Sequence, residues 1–435
     1  MKLDKKVTIL IGFAFLSITA FWQMYDNLIP LMLTETFNIN ETISGAIMAA
    51  DNVLALFLLP LFGSLSDRCN SKMGKRKPFI LFGTIASVGL MTFIPILDNS
   101  YYAEPSKYKV IAFIVLLGFL LIAMGTYRSP AVALMPDVTP KPLRSKGNAI
   151  INLMGAIGGI IYLLATAFLY PASKTNGLEH INYFPIFSLV GEIMIGSLLI
   201  IMFCVNEPKL RAKQTEYEKE HPEQDLTVAD EKAENVSMAK RKMPKAVKIS
   251  LFFLLMSVAL WYVGYNAIST WFTTYASQVW GMSIGTSSLC LTIAMAGAIV
   301  TYIPTGIIAD KIGRKTTILF AAALLALCFG AAYIYTLFTS GFHWGLYILF
   351  AVVGVAWAAI NVNSLPMVVE MCSGADVGKF TGYYYTFSMA AQTITPVVAG
   401  YLLSNVSYHA LFPYAALFVA GSFVTMCFVR HGDSK

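Results

Sequence analysis

Four ionisable side chains lie inside apolar stretches that are long enough to cross a bilayer: Asp26, Asp51, Arg128 and Glu192. A charge at bilayer depth costs about 2.5 to 3.5 kcal/mol on insertion scales, so it normally faces a protein interior or a water-filled cavity. A carboxyl group in a low-dielectric cavity can bind and release a proton near neutral pH. The pattern therefore favours a role in cation binding over the alternative, a buried structural ion pair.

The embedded acids are concentrated in the first half of the chain, which predicts that cation coupling takes place there. Asp51, which is next to Asn52, is the first candidate for the cation carrier. Asp26 is the second candidate, and Glu192 is the weakest. We expect a proton as the coupling ion and no other cofactor. Sodium is the alternative, because a sodium site needs several oxygens and Asp51, Asn52 and Asp26 could supply some of them.

Polar side chains also recur with helical spacing. Gln23, Asp26 and Asn27 stand at i, i+3 and i+4, which places them on one helix face, and Tyr262 and Asn266 repeat the i, i+4 spacing in the second half. Amides, hydroxyls and aromatic rings suit a sugar, whose hydroxyls need donors and acceptors. The predicted substrate-binding residues are Trp22, Gln23, Asp26, Asn27, Arg128, Tyr262, Asn266, Trp357, Asn361, Asn363 and Gln392. The last three amides could instead form interhelical hydrogen bonds.

Arg128 has a second interpretation. It lies towards the cytosolic end of its span, whereas Asp26 and Asp51 lie towards the outer half, so direct pairing with them in every state is not expected. It could contact substrate or change partners during transport. The structural alternative is a salt bridge to Asp137 or a snorkelling position.

The elements that position these residues are membrane-spanning helices. The chain has 435 residues, of which 57% are hydrophobic and 13% charged, and its mean hydropathy is +0.65, which is too apolar for a soluble domain of this length. Spans of about 20 residues are expected at 8–31, 43–66, 78–97, 109–135, 146–170, 183–204, 247–272, 284–309, 316–338, 345–368, 378–402 and 410–430. The sequence thus predicts an all-α membrane protein with twelve transmembrane helices in two pseudo-symmetric six-helix bundles. The bundles are residues 1–205 and 247–435, joined by a cytosolic linker at 206–246.

Lysine and arginine are concentrated in alternate loops. They cluster after the second, fourth and eighth spans, at 68–77, 141–146 and 311–315. Because cytosolic loops carry the excess of basic residues, we expect these loops and both termini to be cytosolic, in a multi-pass protein of the cell membrane. The net charge of +7 reflects this topology, so the expected surroundings are the lipid bilayer and no nucleic acid.

The sequence contains no constellation typical of an enzyme. Its six cysteines are scattered without paired spacing, which indicates neither a disulfide framework nor a zinc site. It also lacks a glycine-rich phosphate loop and a zincin motif. An ATP-driven pump and a membrane enzyme therefore have little support, and no metal site is predicted.

The two halves resemble each other. The segment AFWQMYDNLIP at 20–30 aligns with ALWYVGYNAIS at 259–269, and on the same offset GKR at 74–76 aligns with GRK at 313–315. A second correspondence sets Asp137 against Glu370. Weak self-similarity at half the length is typical of transporters that are built from repeated bundles.

The loops GSLSDRCNSKMGKRKPF at 63–79 and GIIADKIGRKT at 306–316 resemble the two copies of the loop signature of the major facilitator superfamily. We call these two segments the signature loops. The glycines that open them would allow close helix approach, and their aspartates could pair with basic groups at a helix end. The resemblance implies a gating role, without substrate contact, for Gly63, Asp67, Arg68, Gly74, Lys75, Arg76, Asp137, Gly306, Asp310, Gly313, Arg314 and Lys315.

A finer resemblance is to the sucrose porter and glycoside-pentoside-hexuronide cation symporter branch. It is carried by the extended first signature loop and by SPAVALMPD at 129–137, although Val132 stands where those porters place an arginine. Arg128 is one helical turn from Val132 on the same face. The resemblance implies a monomeric secondary transporter that carries a sugar with a proton by alternating access. The alternatives are proton-coupled efflux of an amphipathic compound and a sugar sensor that does not transport.

Overall fold

The computed structural model describes residues 4–139, 143–220, 244–339, 341–371 and 377–433, and most of them are helical. Fourteen α-helices lie in these ranges: α1 Lys5–Leu31, α2 Glu41–Arg68, α3 Lys77–Ala103, α4 Lys107–Val138, α5 Arg144–Leu169, α6 Ala172–Thr175, α7 Phe184–Cys204, α8 Glu207–Glu220, α9 Lys245–Trp280, α10 Ile284–Ile312, α11 Arg314–Phe338, α12 Gly345–Val369, α13 Val377–Asn405 and α14 Leu411–Cys427. A π-helical turn, Met32–Thr36, continues α1. The predicted all-α fold class is confirmed.

All of these helices except α6 and α8 coincide with the predicted spans. Eleven of them are long and apolar enough to be candidate membrane spans in the described part of the chain. The exception is α13, which has 29 residues and is therefore about 44 Å long, but carries Lys379, Gln392 and three consecutive tyrosines. Its length matches a bilayer, whose hydrocarbon core is about 30 Å thick, while its composition is more polar than that of the other spans.

Large apolar side chains are exposed on these helices. Phe57 is 70% exposed, Phe203 is 84% exposed and Phe320 is 70% exposed. Extended exposed apolar surface is unfavourable in water and suits contact with lipid. The helices thus present their apolar faces as a multi-pass membrane protein does.

The first compact unit consists of Met1–Ile39 and Ala50–Pro222. Within it, α1 packs along α5 and α7, and α3 packs along α4 and α7. Apolar side chains of α1, among them Phe21, Met24 and Leu28, are fully buried in this core. This packing fixes α1 at the centre of the unit, and α1 carries the predicted polar face.

The second compact unit consists of Asn40–Ala49 and Glu223–Lys435. Within it, α9 packs along α13 and α14, and α11 packs along α12 and α14. Each of these pairings occupies the same place in the second half as the corresponding pairing in the first half. The internal repeat seen in the sequence is therefore a repeat of helix packing.

Two boundaries differ from the simple division of the sequence. Asn40 and the first nine residues of α2, Glu41–Ala49, group with the second unit, whereas the rest of α2 groups with the first. The beginning of the predicted linker forms the helix α8, Glu207–Glu220. The remainder of the linker, 221–243, lies outside the described residues.

Candidate functional site

Three charged side chains meet inside the first unit. Asp26 on α1, Asp51 on α2 and Arg128 on α4 are each half-buried, and their charges act on one another. The Arg128 guanidinium also lies over the Trp22 ring, 5.3 Å from the ring centroid. We call Asp26, Asp51 and Arg128 the acid–arginine group. It contains three of the four embedded ionisable residues that the sequence singled out.

The neighbours of Arg128 explain why it faces the two acids. Tyr127 forms a hydrogen bond with Ser17 of α1 and donates to the Ala14 carbonyl at 2.9 Å. Ser129 donates to the Leu59 carbonyl of α2 at 2.8 Å. Residues on both sides of Arg128 therefore attach α4 to the two helices that carry the acids.

Arg128 does not form the structural salt bridge that was the alternative. Asp137 accepts from Arg76 instead, with Nε and Oδ2 2.7 Å apart. No ion pair within 4 Å joins Arg128 to Asp26 or Asp51 in the described part of the chain. The interaction in the group is thus electrostatic at longer range, as expected from the different depths of its members.

The other two predicted cation residues occupy different surroundings. Asn52 donates to Asp51 Oδ1 through its side-chain Nδ2 at 2.7 Å and through its backbone N–H at 2.5 Å. Glu192 on α7 has an exposed side chain, and no contact between it and the acid–arginine group is found in the described ranges. Within those ranges, no three His, Cys, Asp or Glu side chains converge as a metal site would require.

The polar face of α1 lies next to the group. Asn27 is buried and donates to the Gln23 backbone carbonyl at 2.6 Å, while the Gln23 side chain is half-buried. Trp22 Nε1 is buried and has no hydrogen-bond partner among the described residues. The face therefore combines a ring, an unused donor and a half-buried amide beside the charges.

Two predicted residues of the second unit, Tyr262 and Trp357, pack together with Tyr265 and Tyr384, and we call these four residues the aromatic cluster. Tyr265 stacks on Trp357 with ring centroids 3.6 Å apart and planes at 3°, and Tyr262 meets Trp357 edge to face at 5.4 Å. The Tyr384 hydroxyl lies 3.0 Å from the Ser364 hydroxyl. Tyr384 was missed by the sequence reasoning, although it belongs to the run of three tyrosines on α13.

Two of the predicted amides of the second unit form hydrogen bonds within their own helix. Asn361 donates to the Trp357 carbonyl at 3.1 Å and Asn363 donates to the Ala359 carbonyl at 2.8 Å, so both bond to their own helix. Asn266 Nδ2 is buried without a partner among the described residues. Gln392 is half-buried on α13. Asn266 therefore retains a donor that is not used within the described protein.

Arg76 is the centre of the first signature loop. It is 5% exposed, and its guanidinium bonds Asp137 Oδ2 at 2.7 Å, Asp67 Oδ1 at 2.5 Å, the Ser66 hydroxyl and the Gly63 carbonyl. Burial acts to lower the pKa of Arg76, but the hydrogen bonds and charges of Asp137 and Asp67 outweigh it and raise that pKa above its ordinary value. Arg76 therefore stays charged and ties the end of α2 to the end of α4.

A carboxylate caps the helix that follows this loop. Glu207, at the start of α8, is fully buried and accepts from the backbone N–H groups of Lys75, Arg76 and Lys77 at 2.7 to 3.1 Å. These donors are the free N–H groups at the N-terminus of α3, where a negative charge is favourable. Gly74 has a φ of +109°, and a Cβ there would collide with the Glu207 carboxylate. The glycine of the signature is thus required by both the turn and the cap.

The second signature loop repeats this arrangement. Arg314 forms an ion pair with Glu370, and Asp433 accepts from the backbone N–H groups of Arg314 at 2.6 Å and Lys315 at 3.3 Å. Gly313 has a φ of +94°. In the first unit, an arginine pairs with an acid at the end of α4, and a carboxylate caps α3. In the second unit, an arginine pairs with an acid at the end of α12, and a carboxylate caps α11.

The remaining predicted gate residues differ between the loops. A Cβ on Gly63 would lie 3.1 Å from Ser129 Oγ, which indicates close helix approach, whereas a Cβ on Gly306 would make only an ordinary contact at 3.6 Å. Arg68 and Asp310 are exposed. In the described part of the chain, only the first loop uses its aspartate as the pairing acid.

Three residues that bind to the signature loops were not predicted from the sequence: Glu207, Glu370 and Asp433. Glu370 was aligned with Asp137, so the repeat itself was the signal for it. Glu207 and Asp433 each follow the last spanning helix of their half, α7 and α14, by a few residues. That shared position would have identified them as a pair.

A cavity of about 850 Å³ lies in the second unit, at the ends of α9, α11 and α13. Glu41 lines it and accepts hydrogen bonds from Ser404 and Tyr408. None of the predicted substrate-binding residues lines this cavity, so it is not the site that the sequence predicted.

Membrane-spanning helices that carry an internal charged group, together with two repeated signature loops, are typical of a membrane transporter. The chain belongs to the Major Facilitator Superfamily, whose sequence model matches residues 11–287 and 277–435. It is therefore a transport protein rather than an enzyme.

Curated relatives match part of the chain. Sucrose transport protein SUC3 of Arabidopsis thaliana is 31% identical over 145 residues, which are 31% of this chain and 24% of that protein. Sucrose transport protein SUC4 of the same plant is 27% identical over 168 residues, which are 37% of this chain and 33% of that protein. The matched segment thus spans about a quarter to a third of these relatives' length.

Solved structures share the fold along nearly the whole chain. A bacterial homologue of the iron transporter ferroportin superposes with a TM-score of 0.70 at 12% identity, covering 98% of this chain and 99% of that one. A D-xylose-proton symporter superposes with a TM-score of 0.67 at 14% identity, covering 98% of each chain. The xylose transporter XylE from E. coli gives 0.65 at 13% identity, covering 99% of this chain and 96% of that one. At these identities the likeness establishes the fold alone.

Proposed function

We propose that this chain is a secondary active transporter that carries a sugar or glycoside together with a proton by alternating access. The observation that carries the proposal is the acid–arginine group, in which charges from three helices act on one another inside the membrane-spanning part of the first unit. Such charges are costly in a membrane unless they are functional or paired. Within the acid–arginine group, no ion pair closer than 4 Å is found among the described residues.

A proton fits this group better than sodium does. A sodium site needs several oxygen ligands together. Asn52 approaches Asp51 through two N–H donors, so it serves that carboxylate as a hydrogen-bond donor. Asp51 and Asp26 are the proposed proton carriers, and Arg128 is the charge that responds to their protonation.

A sugar is the proposed substrate for two reasons. The curated relatives are sucrose transport proteins, and one structural neighbour is a D-xylose-proton symporter. The residues also suit a sugar, because Trp22 and Trp357 offer rings to its C–H face, and Gln23 and Asn266 offer amides to its hydroxyls.

Efflux of an amphipathic compound is the second candidate. The aromatic cluster of the second unit favours it, since four rings pack together there and the Asn361 and Asn363 side chains donate to their own helix. An apolar, aromatic surface suits an apolar substrate better than a polyhydroxylated one.

The proposed setting is the cell membrane, with the chain acting as a monomer. Both termini and both signature loops are assigned to the cytosolic side on the positive-inside rule. The arginine pairs and helix caps of the signature loops would then act as gate latches on that side.

Counterflow of labelled sugars in proteoliposomes tests the proposal, with an imposed proton or sodium gradient. We expect sugar accumulation driven by the proton gradient in the wild-type chain. Asp51→Asn should keep counterflow but lose gradient-driven accumulation. Glu104→Gln, which removes an exposed acid with an 88% exposed side chain, is the matched control and should behave as wild type.

Three outcomes would contradict parts of the proposal. Sugar accumulation that ignores both gradients would remove symport. Accumulation that follows only the sodium gradient would replace the proton by sodium. Absence of movement for every sugar would favour efflux or sensing.

A further inference from the structure

A second buried acid lies in the first unit, at the end opposite to the signature loop. Asp98, near the end of α3, has no exposed surface, and neither carboxylate oxygen has a hydrogen bond of good geometry in the described part of the chain. His180 Nε2, from the segment between α6 and α7, lies 3.4 Å from Asp98 Oδ2. The Thr36 side chain is the other polar group that acts on Asp98. A buried carboxylate is strongly unfavourable as an isolated charge. Asp98 must therefore hold a proton or face a charged imidazole.

The surroundings of His180 fix its ring and leave it a route to solvent. Its Nε2 also lies 2.9 Å from Asn99 Oδ1, so Nε2 carries a hydrogen that it donates to this amide oxygen. The ring stacks on Tyr102 with centroids 4.4 Å apart and planes at 11°. The His180 side chain is 13% exposed. Burial lowers the pKa of His180 below its ordinary value of 6.5.

Further contacts hold this segment on α3. Asn99 donates to Asn182 Oδ1 at 2.9 Å, and the Tyr102 hydroxyl donates to Glu179 Oε2 at 3.0 Å. Three ionisable groups lie against the pair: Tyr102 of α3 stacks on His180, Tyr183 before α7 meets the His180 ring edge to face, and Glu179 adjoins His180 in the chain. Glu35 and Tyr170 act on Tyr183 in turn, and Lys109 of α4 binds to the end of α3. Asp98 is the acid of this set with no exposed surface.

Two buried phenols, Tyr183 and Tyr162, lie in the core of the same unit, and the Tyr183 ring meets the His180 ring edge to face with centroids 6.5 Å apart. Tyr183, which is 2% exposed, interacts electrostatically with Asp98 and with Tyr162. Tyr162, which is fully buried, interacts in turn with Asp26. Thr36, which faces Asp98, follows Asp26 by ten residues in the chain and ends the π turn that continues α1. The intervening π turn is a feature that is frequent at functional sites.

We infer that Asp98 and His180 form a second proton-binding site, through which protons enter the transport cycle from the end of the first unit opposite to the signature loop. One proton from the medium binds to the pair and neutralises the charge of the buried carboxylate. It then passes towards Asp26 along the stretch lined by Tyr183 and Tyr162. The entry role rests on the proposed proton coupling, whereas the binding site itself does not.

A titration of the purified chain in detergent tests the binding site. Proton uptake is measured between about pH 5 and 8, the range in which histidine and perturbed groups change charge. Asp98→Asn should take up about one proton fewer than wild type. Glu104→Gln, on the same end of α3 but exposed, should take up as many protons as wild type in this range. Equal uptake by Asp98→Asn and wild type overturns the site.

Transport measurements test the entry role. In proteoliposomes, Asp98→Asn and His180→Gln should slow proton-driven sugar uptake severalfold and leave counterflow at equal pH unchanged. Unchanged uptake rates overturn the role, and an equal loss of uptake and counterflow shows that the pair is only structural. If wild type moves no sugar, the proposed function fails, and the titration still decides whether the proton site exists.

Discussion

Arg76 satisfies four oxygen acceptors at once, from two carboxylates, a hydroxyl and a backbone carbonyl. The planar, forked guanidinium suits such a set, whereas the lysine ammonium is a compact point charge on a flexible stem. The chain places a lysine on either side of Arg76, yet neither takes its place in this network. At the scale of single residues, it therefore matters as much that the cationic side chain is arginine as that it is charged.

We predict that Arg76→Lys destabilises the first unit, because at least one acceptor of the network loses its donor. Loss of a hydrogen bond to a charged group should lower the free energy of unfolding by about 1 to 3 kcal/mol. Thermal unfolding in detergent measures the effect. Arg68→Lys, at an exposed position of the same loop, is the control and should unfold as wild type does. Identical melting of Arg76→Lys and wild type would contradict the role of the network.

Trp22 is the residue that ties the polar face of α1 to Arg128. A cation over an aromatic face is worth about 0.5 to 2 kcal/mol, with tryptophan the best ring. Trp22→Phe should therefore weaken sugar binding by about two- to tenfold, measured as the half-saturation concentration in counterflow. Trp344→Phe changes a 73% exposed ring and should have no effect. Equal half-saturation in both variants would remove Trp22 from the site.

At the scale of elements, the start of α3 is held by groups distant in sequence. Glu207 caps its backbone N–H groups, and Lys77 donates to the carbonyls of Met202 and Val205 at 2.8 and 2.7 Å, at the end of α7. A negative group therefore meets the N-terminus of one helix, and a positive group meets the C-terminus of its neighbour. Both arrangements are favourable for helix dipoles. The start of α8 has its own cap, because the Asn206 side chain accepts from the Lys209 backbone N–H at 3.1 Å.

Gly74→Ala should disrupt this junction. The left-handed backbone conformation is unfavourable for alanine, and the new methyl group would displace the Glu207 carboxylate from α3. We expect a loss of about 1 to 3 kcal/mol in unfolding free energy, together with slower counterflow. Gly89→Ala on α3, where a Cβ would meet nothing within 4 Å, is the matched control. Stability of Gly74→Ala equal to that of the control would show that the loop can rearrange freely.

At the scale of the whole molecule, the same pattern of helix packing occurs twice. Corresponding helices pair in both units, and both signature loops combine an arginine–acid pair with a carboxylate cap. The chemistry is not repeated, because the first unit carries the charges and the second carries the aromatic cluster. One scaffold thus carries a charged group in one half and an aromatic cluster in the other.

Orientation in the membrane gives a prediction for the whole chain. In a variant without native cysteines, Lys72→Cys and Tyr108→Cys place one exposed thiol at each end of the first unit. A membrane-impermeant maleimide should label Tyr108→Cys in intact cells and Lys72→Cys only after the membrane is opened, because basic loops remain in the cytosol. The opposite labelling pattern would reverse the proposed topology.

The sequence alone determined the helices and the loop signatures of this protein. Apolar stretches of sufficient length, basic loops and glycine-containing turns are local properties, so they can be identified without knowing which helices touch. It also identified Asp26, Asp51 and Arg128, because a charge inside an apolar stretch is unusual wherever the helix packs. Their common location in the first half followed from the same pattern.

Only the tertiary structure decided which charges meet. Asp137 pairs with Arg76, 61 positions away, rather than with Arg128, and Glu207 caps a helix whose first residues precede it by about 130 positions. Asp98 escaped notice because it stands just beyond the predicted third span, and its partner His180 is 82 positions later. Such contacts depend on how each helix is rotated and packed against its neighbours, which a pattern along one chain does not specify.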